Sequence, residues 1–316
     1  MLLTDIHKRW LKDRFGSGVR FDEPMSRHTS LRVGGPADAY ITPRQPSELA
    51  TLCQWCQQND LPRLIIGNGT NLLVLDKGLG GIVISLKHCC KDLQHTLGEN
   101  GEARILAGAA IGLSALCNYA IRHGIKGLNF ALGIPATLGG AIMMNAGTAK
   151  GCMGDVVSQV KVMTASGDIA HYHQKDLDFG YRHLTWVFED QTAVATLPII
   201  LEASLQLSVA DGIRLKNEAD AILKARARTQ PLHQRSAGSF FKNPPSGLTA
   251  GELIDRAGLK GTQVGGAQIS RQHANWIVNT GNATATDIVE LKDLIQSKVS
   301  NLYKVELEPE VQIAGT

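Results

Sequence analysis

Ser239, Lys242 and Asn243 stand around two aromatics in Ala237-Gly-Ser239-Phe-Phe-Lys242-Asn243-Pro244. Ser239 lacks the Gly-x-Ser-x-Gly surroundings of a hydrolase nucleophile elbow. A serine hydroxyl can instead deliver a proton to a developing carbanion if its conjugate base is stabilised, a service that Lys242 can provide. By residue type alone, a structural turn is the commoner reading of such a stretch. Arg182, in Asp178-Phe-Gly-Tyr181-Arg182-His-Leu-Thr-Trp186, sits among aromatics and aliphatics, where an arginine stacks or pairs as readily as it grips an anion. Glu310 shares alternation parity with Glu308 and Glu306, which also fits a plain solvated strand face. His273 precedes an apolar segment and reads by itself as structural more often than functional.

Two glycine-rich segments complete the inventory. Gly67-Asn68-Gly69-Thr70-Asn71 directly follows the apolar Leu64-Ile-Ile66, so its amides are presented together at a strand end, a usual place to hold phosphate oxygens. Leu72 occupies the third-glycine position of Gly-x-Gly-x-x-Gly, and no Gly-x-x-x-x-Gly-Lys-Ser/Thr occurs, so neither dinucleotide nor P-loop fingerprint is present. A tight turn without a ligand explains the segment equally well. The second segment, Gly127 to Ala149, carries no charge at all. Its glycines, Pro135 and two asparagines spoil a lipid-facing helix, so backbone buried closely against protein or ligand is the better reading than a membrane span. Together the two surfaces suit an extended ligand with a pyrophosphate and a flat ring.

The bulk numbers agree with such a role. The chain has 316 residues, 43% hydrophobic and 19% charged, which fits a soluble protein of two or three domains. A formal net charge of +3 without a basic block gives no indication of nucleic-acid binding. The first residues mix both charges and offer no apolar core for a signal peptide, which places the protein in the cytoplasm. The six cysteines are sparse and read as reduced thiols. Cys53-Gln-Trp-Cys56 has redox or half-zinc spacing but lies inside an amphipathic helix, and no second pair accompanies it, so no metal is expected.

The elements that must position these residues fall into units. The spacing predicts an N-terminal helix, a helix over 46–58 with Ser47 near its start, and strands at 61–66 and 81–86. A strand from about Ala103, a helix near 113–123 and a hairpin of 157–163 with 169–172 form a second unit. A helix over 217–228 stops before Pro231. Beyond it come a helix over 251–257, a strand over 273–279, and a helix from Asp287 with Ile288, Leu291, Leu294, Ile295 and Val299 on one face. The tail 305–313 alternates like a strand. The expected units are residues 1–86, 87–210, 211–303 and a returning strand at 304–316.

In order along the chain, His28-Thr-Ser-Leu-Arg32-Val-Gly-Gly, Gly67-Asn-Gly-Thr-Asn-Leu72-Leu-Val, Gly133-Ile-Pro-Ala-Thr-Leu-Gly-Gly-Ala, Tyr181-Arg182, Gly238-Ser-Phe-Phe-Lys-Asn-Pro and Leu307-Glu-Pro-Glu-Val resemble the UDP-N-acetylenolpyruvoylglucosamine reductases, over nearly the whole length. Ala257-Gly-Leu-Lys-Gly-Thr-Gln-Val-Gly-Gly-Ala and His273-Ala-Asn-Trp-Ile-Val-Asn are similar to the type II branch, which lacks an added substrate-covering tyrosine loop. The resemblance implies an α+β protein: a two-part FAD-binding region of the vanillyl-alcohol-oxidase-like type and a third, α/β substrate domain. It implies non-covalent FAD, NADPH as co-substrate, a UDP-sugar substrate, and a monomer without nucleic-acid or membrane partners. By matching position, Arg32, Gly67, Asn68, Gly69, Thr70, Asn71 and Leu72 would hold FAD, the loop taking its pyrophosphate. Gly133, Ile134, Pro135, Ala136, Thr137, Gly139, Gly140, Asn145, Ala146 and Gly147 would line the flavin and its tail. Arg182 and Glu310 match the residues that stabilise an enolate-like intermediate, and Ser239 matches the proton donor. Tyr181, Lys242, Asn243 and His273 match substrate contacts. Ala136 stands where the family often has glycine, and Leu184-Thr-Trp186 departs from the usual pattern after Tyr181-Arg182. Two other functions fit the same scaffold: an FAD oxidase of another small molecule, and a redox-inactive nucleotide-sugar-binding protein.

Overall fold

A computed structural model describes residues 2–187, 197–245 and 247–316. Helix α1 (Asp5–Phe15) starts at a capping box in which Thr4 and His7 satisfy each other's amides. It buries Leu11 and Phe15 and stacks Trp10 flat on Trp55, ring centroids 4.4 Å apart. Trp55 belongs to α2 (Pro46–Gln58), which opens with Pro46 in its first turn, where the missing N–H is not needed. Ser47 therefore lies inside the helix rather than capping it. The buried stripe of α2 is Leu49, Leu52, Cys53, Trp55 and Cys56.

α2 crosses over the first sheet, whose strands run in the order Val19–Pro24, Pro36–Ile41, Leu79–Ser85, Arg63–Ile66. The first pairing is antiparallel and the other two are parallel, so Pro36–Ile41, α2 and Arg63–Ile66 form a βαβ unit with one strand between its strands. The second sheet is antiparallel: Ile169–His173, Val157–Met163, Ile199–Val209, Glu102–Gly108 and Leu93–Leu97, in that order. Helices α3 (Leu113–Arg122), α4 (Leu138–Met143) and α5 (Gly212–Thr229) belong to this region. Ala219 of α5 lies in the same core as the second sheet, and that core is continuous with α1, α2 and the first sheet.

The third unit has its own core, built around α6 (Ala250–Arg256), α7 (Ala285–Tyr303) and a small sheet ordered Arg235-Ser236, Ile277–Asn279, Ala267–Ile269, Gln263-Val264. Leu31, Val33 and Leu73 of the first unit insert into this core. The chain end returns to the first unit, where Gln312–Ala314 pairs in parallel with Leu72–Val74.

Several expectations shift in detail. The strand expected over 273–279 contracts to Ile277–Asn279, because Trp276 N–H bonds back to His273 O and makes the preceding residues a turn. The helix expected from Asn217 begins a turn earlier at Gly212, where the Asp211 carboxylate accepts from Arg214 N–H. α7 begins at Ala285, capped by Thr284 with Asp287 as the reciprocal third residue. Leu294 is 38% exposed, while Ala285 completes the buried face in its place. Of the tail, only Gln312–Ala314 forms a strand, with one bridge between Pro309 and Phe241.

Among the described residues, no helix is long and apolar enough to cross a membrane. The uncharged run folds instead into one 3₁₀ turn (Asn129–Ala131), the short α4 and the short strand Gly147-Thr148.

Candidate active site

The two glycine-rich segments touch. An added Cβ on Gly67 would lie 2.4 Å from Thr137 Oγ1, and Asn68 Nδ2 donates to Pro135 O at 3.0 Å. Thr137 is also the N-cap of α4, its hydroxyl accepting from Gly140 N–H at 3.4 Å. Gly69, at φ 62°, packs its α-carbon against His28 O, where a side chain would clash. Glycine here is demanded by contact between chain segments, so its presence alone does not establish a ligand. The ligand argument rests on donors instead. Among the described residues, none of the main-chain amides from Gly67 to Asn71 donates to another protein group. Gly67 and Asn68 are exposed, so an array of N–H groups at a strand end is open to an anion.

The other expected cradle residues divide by what they can offer. Leu72 is buried in a core cluster with Met25 and Tyr40 and starts the Leu72–Val74 strand, so its side chain is committed to packing. Thr70 is half-buried beside Asn71. Gly133, at φ 77°, carries the Arg226 guanidinium against its α-carbon, and Arg226 Nη2 donates to its carbonyl at 3.4 Å. Ile134 packs against the large core. Ala136 is absent from the left-handed residues, so replacing glycine there carries no backbone strain. Gly139 N–H bonds Ala109 O at 2.9 Å. Asn145, at φ 39°, donates to Gly180 O and accepts from Gly154 N–H, both at 2.9 Å. Ala146 N–H closes onto Ala141 O at 2.7 Å, and Gly147 O accepts from Arg182 Nη1 at 3.0 Å. Arg32, also left-handed at φ 58°, points its guanidinium to Arg27 O; neighbouring Ser30 N–H bonds Gly69 O at 3.0 Å.

Arg182 is the second residue of a two-residue turn joining strands Leu177–Gly180 and His183–Trp186. Its φ of 65° costs a non-glycine residue about 1 kcal/mol. Such strain recurs where a side chain must be aimed. It aims Arg182 between Gly147 O and Glu310, with Nε 3.1 Å from Glu310 Oε1 and both side chains about four-fifths buried. Nε is nonetheless a buried donor without an aligned acceptor, so the two groups lie close without a well-formed hydrogen bond. Burial pushes the Glu310 carboxyl above its ordinary range, against the opposing pull of Arg182 and Lys242. Leu184 and Trp186, the departures from the usual pattern, are buried in the large core and anchor this hairpin.

Glu310 is held from two sides. Its amide donates to Phe240 O at 2.8 Å, and its carbonyl accepts from Asn71 Nδ2 at 3.1 Å. The chain from Ser239 to Lys242 therefore runs antiparallel beside Glu308–Val311, which brings Ser239 next to the Arg182–Glu310 pair in the fold. The Ser239 hydroxyl makes no hydrogen bond to the described residues. Lys242 does not serve Ser239 here: its ammonium pairs with the Glu308 carboxylate. Asn243 N–H donates to Tyr181 Oη at 3.3 Å, while the Tyr181 ring underlies the Arg182 guanidinium at 5.1 Å. Tyr181, Arg182, Ser239, Lys242, Asn243 and Glu310 thus form one neighbourhood. His273 joins it only indirectly. Its Nδ1 accepts from Asn275 N–H, and burial lowers its pKa, with the Lys260 charge adding to the effect.

Asn275, missed in the sequence, is the residue that holds the Ser239 strand in place. It is 4% exposed, its carbonyl accepts from Phe240 N–H at 2.7 Å, and its side chain bonds both the amide and the carbonyl of Phe241. No local pattern marks it, since its partners are 34 positions away.

Comparison with known proteins bears on family and fold. Residues 37–172 match the FAD binding domain model, and residues 230–314 match that of the UDP-N-acetylenolpyruvoylglucosamine reductase C-terminal domain. The chain is 46% identical over 308 residues to the UDP-N-acetylenolpyruvoylglucosamine reductase of Desulfosudis oleivorans, covering 98% of both chains. It is 41% identical over 314 residues to that of Heliobacterium modesticaldum, covering 99% of this chain and 93% of the relative. The crystal structure of the Thermus caldophilus reductase superimposes with a TM-score of 0.76 at 35% identity, covering 92% of this chain and 97% of that one. With an α+β fold, a matched FAD-binding domain and likeness along its whole length, the chain belongs to the UDP-N-acetylenolpyruvoylglucosamine reductase family.

Proposed function

We propose that this chain is an FAD enzyme that uses NADPH to reduce UDP-N-acetylglucosamine enolpyruvate to UDP-N-acetylmuramate, in peptidoglycan precursor synthesis, acting as a cytoplasmic monomer. The observation that carries the reading is the buried Arg182–Glu310 pair beside the Ser239 strand, in a chain so similar to reductases of that name. FAD, when bound, relays hydride from NADPH to the methylene carbon of the enolpyruvyl group.

The uncommitted amides of Gly67 to Asn71 suit the FAD pyrophosphate, and Gly133 to Gly140 with Asn145 to Gly147 form the adjoining wall. Hydride arriving at the methylene carbon drives negative charge toward the substrate carboxylate. Arg182 neutralises that charge, and Glu310 serves best in the proton-bearing form that burial favours, since a bare carboxylate would repel it. Ser239 then passes its hydroxyl proton to the neighbouring carbon, so that one hydride and one proton have added across the double bond. Tyr181, Lys242, Asn243 and His273 are the residues we assign to holding the UDP-sugar.

Stopped-flow absorbance of the FAD-loaded protein tests the reading. NADPH should bleach the flavin, and the enolpyruvyl substrate should restore its colour within the same enzyme. Absence of a flavin spectrum after reconstitution defeats it; oxygen consumption driven by another substrate without NADPH supports an oxidase instead.

A further inference from the structure

Ser239 is bracketed by one segment of chain. Arg235-Ser236, just before it, pairs antiparallel with Val278-Asn279, and Phe240-Phe241, just after it, is bonded by Asn275. Wherever residues 275–279 sit, Ser239 sits with them. A buried side chain ties that segment to the cofactor side. Asn279, 7% exposed, donates from Nδ2 to Leu31 O at 2.9 Å, while its Oδ1 accepts from the amides of Gly281 and Ala283. Ser30, the residue before Leu31, donates its N–H to Gly69 O at 3.0 Å, within the Gly67–Asn71 loop assigned above to the FAD pyrophosphate.

A second tie leaves the other end of that loop. The strand Leu72–Val74 runs on through Leu75 to Asp76, whose carboxylate reaches the first turn of α7. Asp76 Oδ1 accepts from Ala285 N–H and Oδ2 from Thr286 N–H, both at 2.9 Å, and Oδ2 also accepts from the Thr286 hydroxyl at 2.7 Å. The reciprocal cap of α7 uses only the amides of Thr284 and Asp287. Asp76 takes the two between them, where the helix dipole favours a carboxylate. The same turn is joined to the Ser239 support: Asp287 accepts from Gly266 N–H, and Gly266 O accepts from Thr280 N–H, next to Asn279.

We infer that Asp76 and Asn279 are positioning residues for the proton transfer assigned to Ser239, holding its supporting segment in register with the cofactor loop. The inference rests on that reading of Ser239. Among the described residues, neither side chain bonds to Ser239, Arg182 or Glu310, so each acts through the main chain that it holds. A displacement of about 1 Å at a reacting group is worth up to about a hundredfold in rate.

The test uses the full-length, FAD-loaded protein with Asp76→Ala, Asp76→Asn and Asn279→Ala. Asp76 is exposed, so its variants decide the matter even if Asn279→Ala fails to fold. In stopped flow, NADPH should bleach Asp76→Ala at the wild-type rate, while saturating enolpyruvyl substrate restores its colour about 10- to 100-fold more slowly. Asp76→Asn keeps one oxygen for Ala285 N–H and should recover part of that loss. Folded Asn279→Ala should slow the substrate half-reaction more than the flavin half-reaction. Hydrogen exchange of residues 275–288, read by mass, should be faster in Asp76→Ala than in wild type, which reports on the tie without turnover. Equal slowing of both half-reactions, or a wild-type substrate half-reaction despite faster exchange, overturns the positioning role; unchanged exchange overturns the tie. Wild-type protein that NADPH bleaches but the substrate does not reoxidise refutes the reaction itself and the positioning role with it, a failure told apart from the others because it appears without any variant.

Discussion

Glu310 sits where burial favours its proton-bearing form, and this has a measurable signature. A carboxyl whose folded pKa lies above its unfolded value of about 4.3 holds its proton more tightly in the native state. Its contribution to stability is complete below the unfolded pKa and is lost as pH rises through the folded one. Thermal melts taken upward from about pH 4 should therefore show wild type losing stability relative to Glu310→Gln, since the attraction of ionised Glu310 to Arg182 is already counted in the net rise of its pKa. Parallel profiles for the two proteins would remove this account of Glu310. Ser239 makes a complementary kinetic prediction. Ser239→Ala should leave bleaching of the flavin by NADPH unchanged and slow the substrate half-reaction by about 10²- to 10⁴-fold, the usual worth of a general acid. Equal loss in both half-reactions would place Ser239 in cofactor binding. Both residues were found in the sequence by resemblance; residue type alone favoured a turn and a solvated strand face. What could not be read was the partner of Lys242, because Glu308 lies 66 positions away in another segment.

Contacts between elements explain residues that composition only flags. Gly67 at the end of strand Arg63–Ile66 abuts Thr137 at the start of α4. Gly67→Ala forces its new methyl against Thr137 Oγ1 and should cost about 1–3 kcal/mol with weakened FAD binding. Thr137→Ala should itself cost about 1 kcal/mol as a lost cap, yet in the double variant the two losses should sum to less than their separate values. Denaturant unfolding and FAD titration of all four proteins measure the coupling, and strict additivity would deny the contact. Asn275 works between the small sheet of the third unit and the Ser239 strand. Asn275→Ala leaves both main-chain groups of Phe241 without partners and should destabilise the protein by about 2 kcal/mol or more. It should also slow the substrate half-reaction more than the flavin half-reaction, measured by stopped flow. The helices were largely legible, since their apolar spacing and terminal residues are local. The expected strand over 273–279 was not, because its apolar residues also suit the turn that Trp276 and His273 close.

Across the whole molecule, the proposed active site draws on segments that are far apart in the chain. Arg182 comes from the Leu177–Trp186 hairpin, Ser239 from the segment beside Asn275, and Glu310 from a tail clasped by Asn71 and by the pairing of Gln312–Ala314 with Leu72–Val74. Truncation after Glu310 keeps the carboxyl but deletes the strand that seats it and the buried Val311. The truncated protein should melt lower and lose turnover while it still binds FAD, as read by calorimetry and flavin absorbance; full activity would show that the clasp is dispensable. The sequence by itself determined what is local: helix periodicity, capping residues, glycines at strand ends, and a linear order of motifs specific enough to identify a family. Only the tertiary structure decided that Gly67 meets Thr137, that Arg182 turns left-handed toward Glu310, and that Asn275 clamps Phe241. The reason is physical. Propensity and periodicity act over one or two turns of chain, whereas charge pairing and close backbone approach depend on groups that only folding brings within a few ångströms.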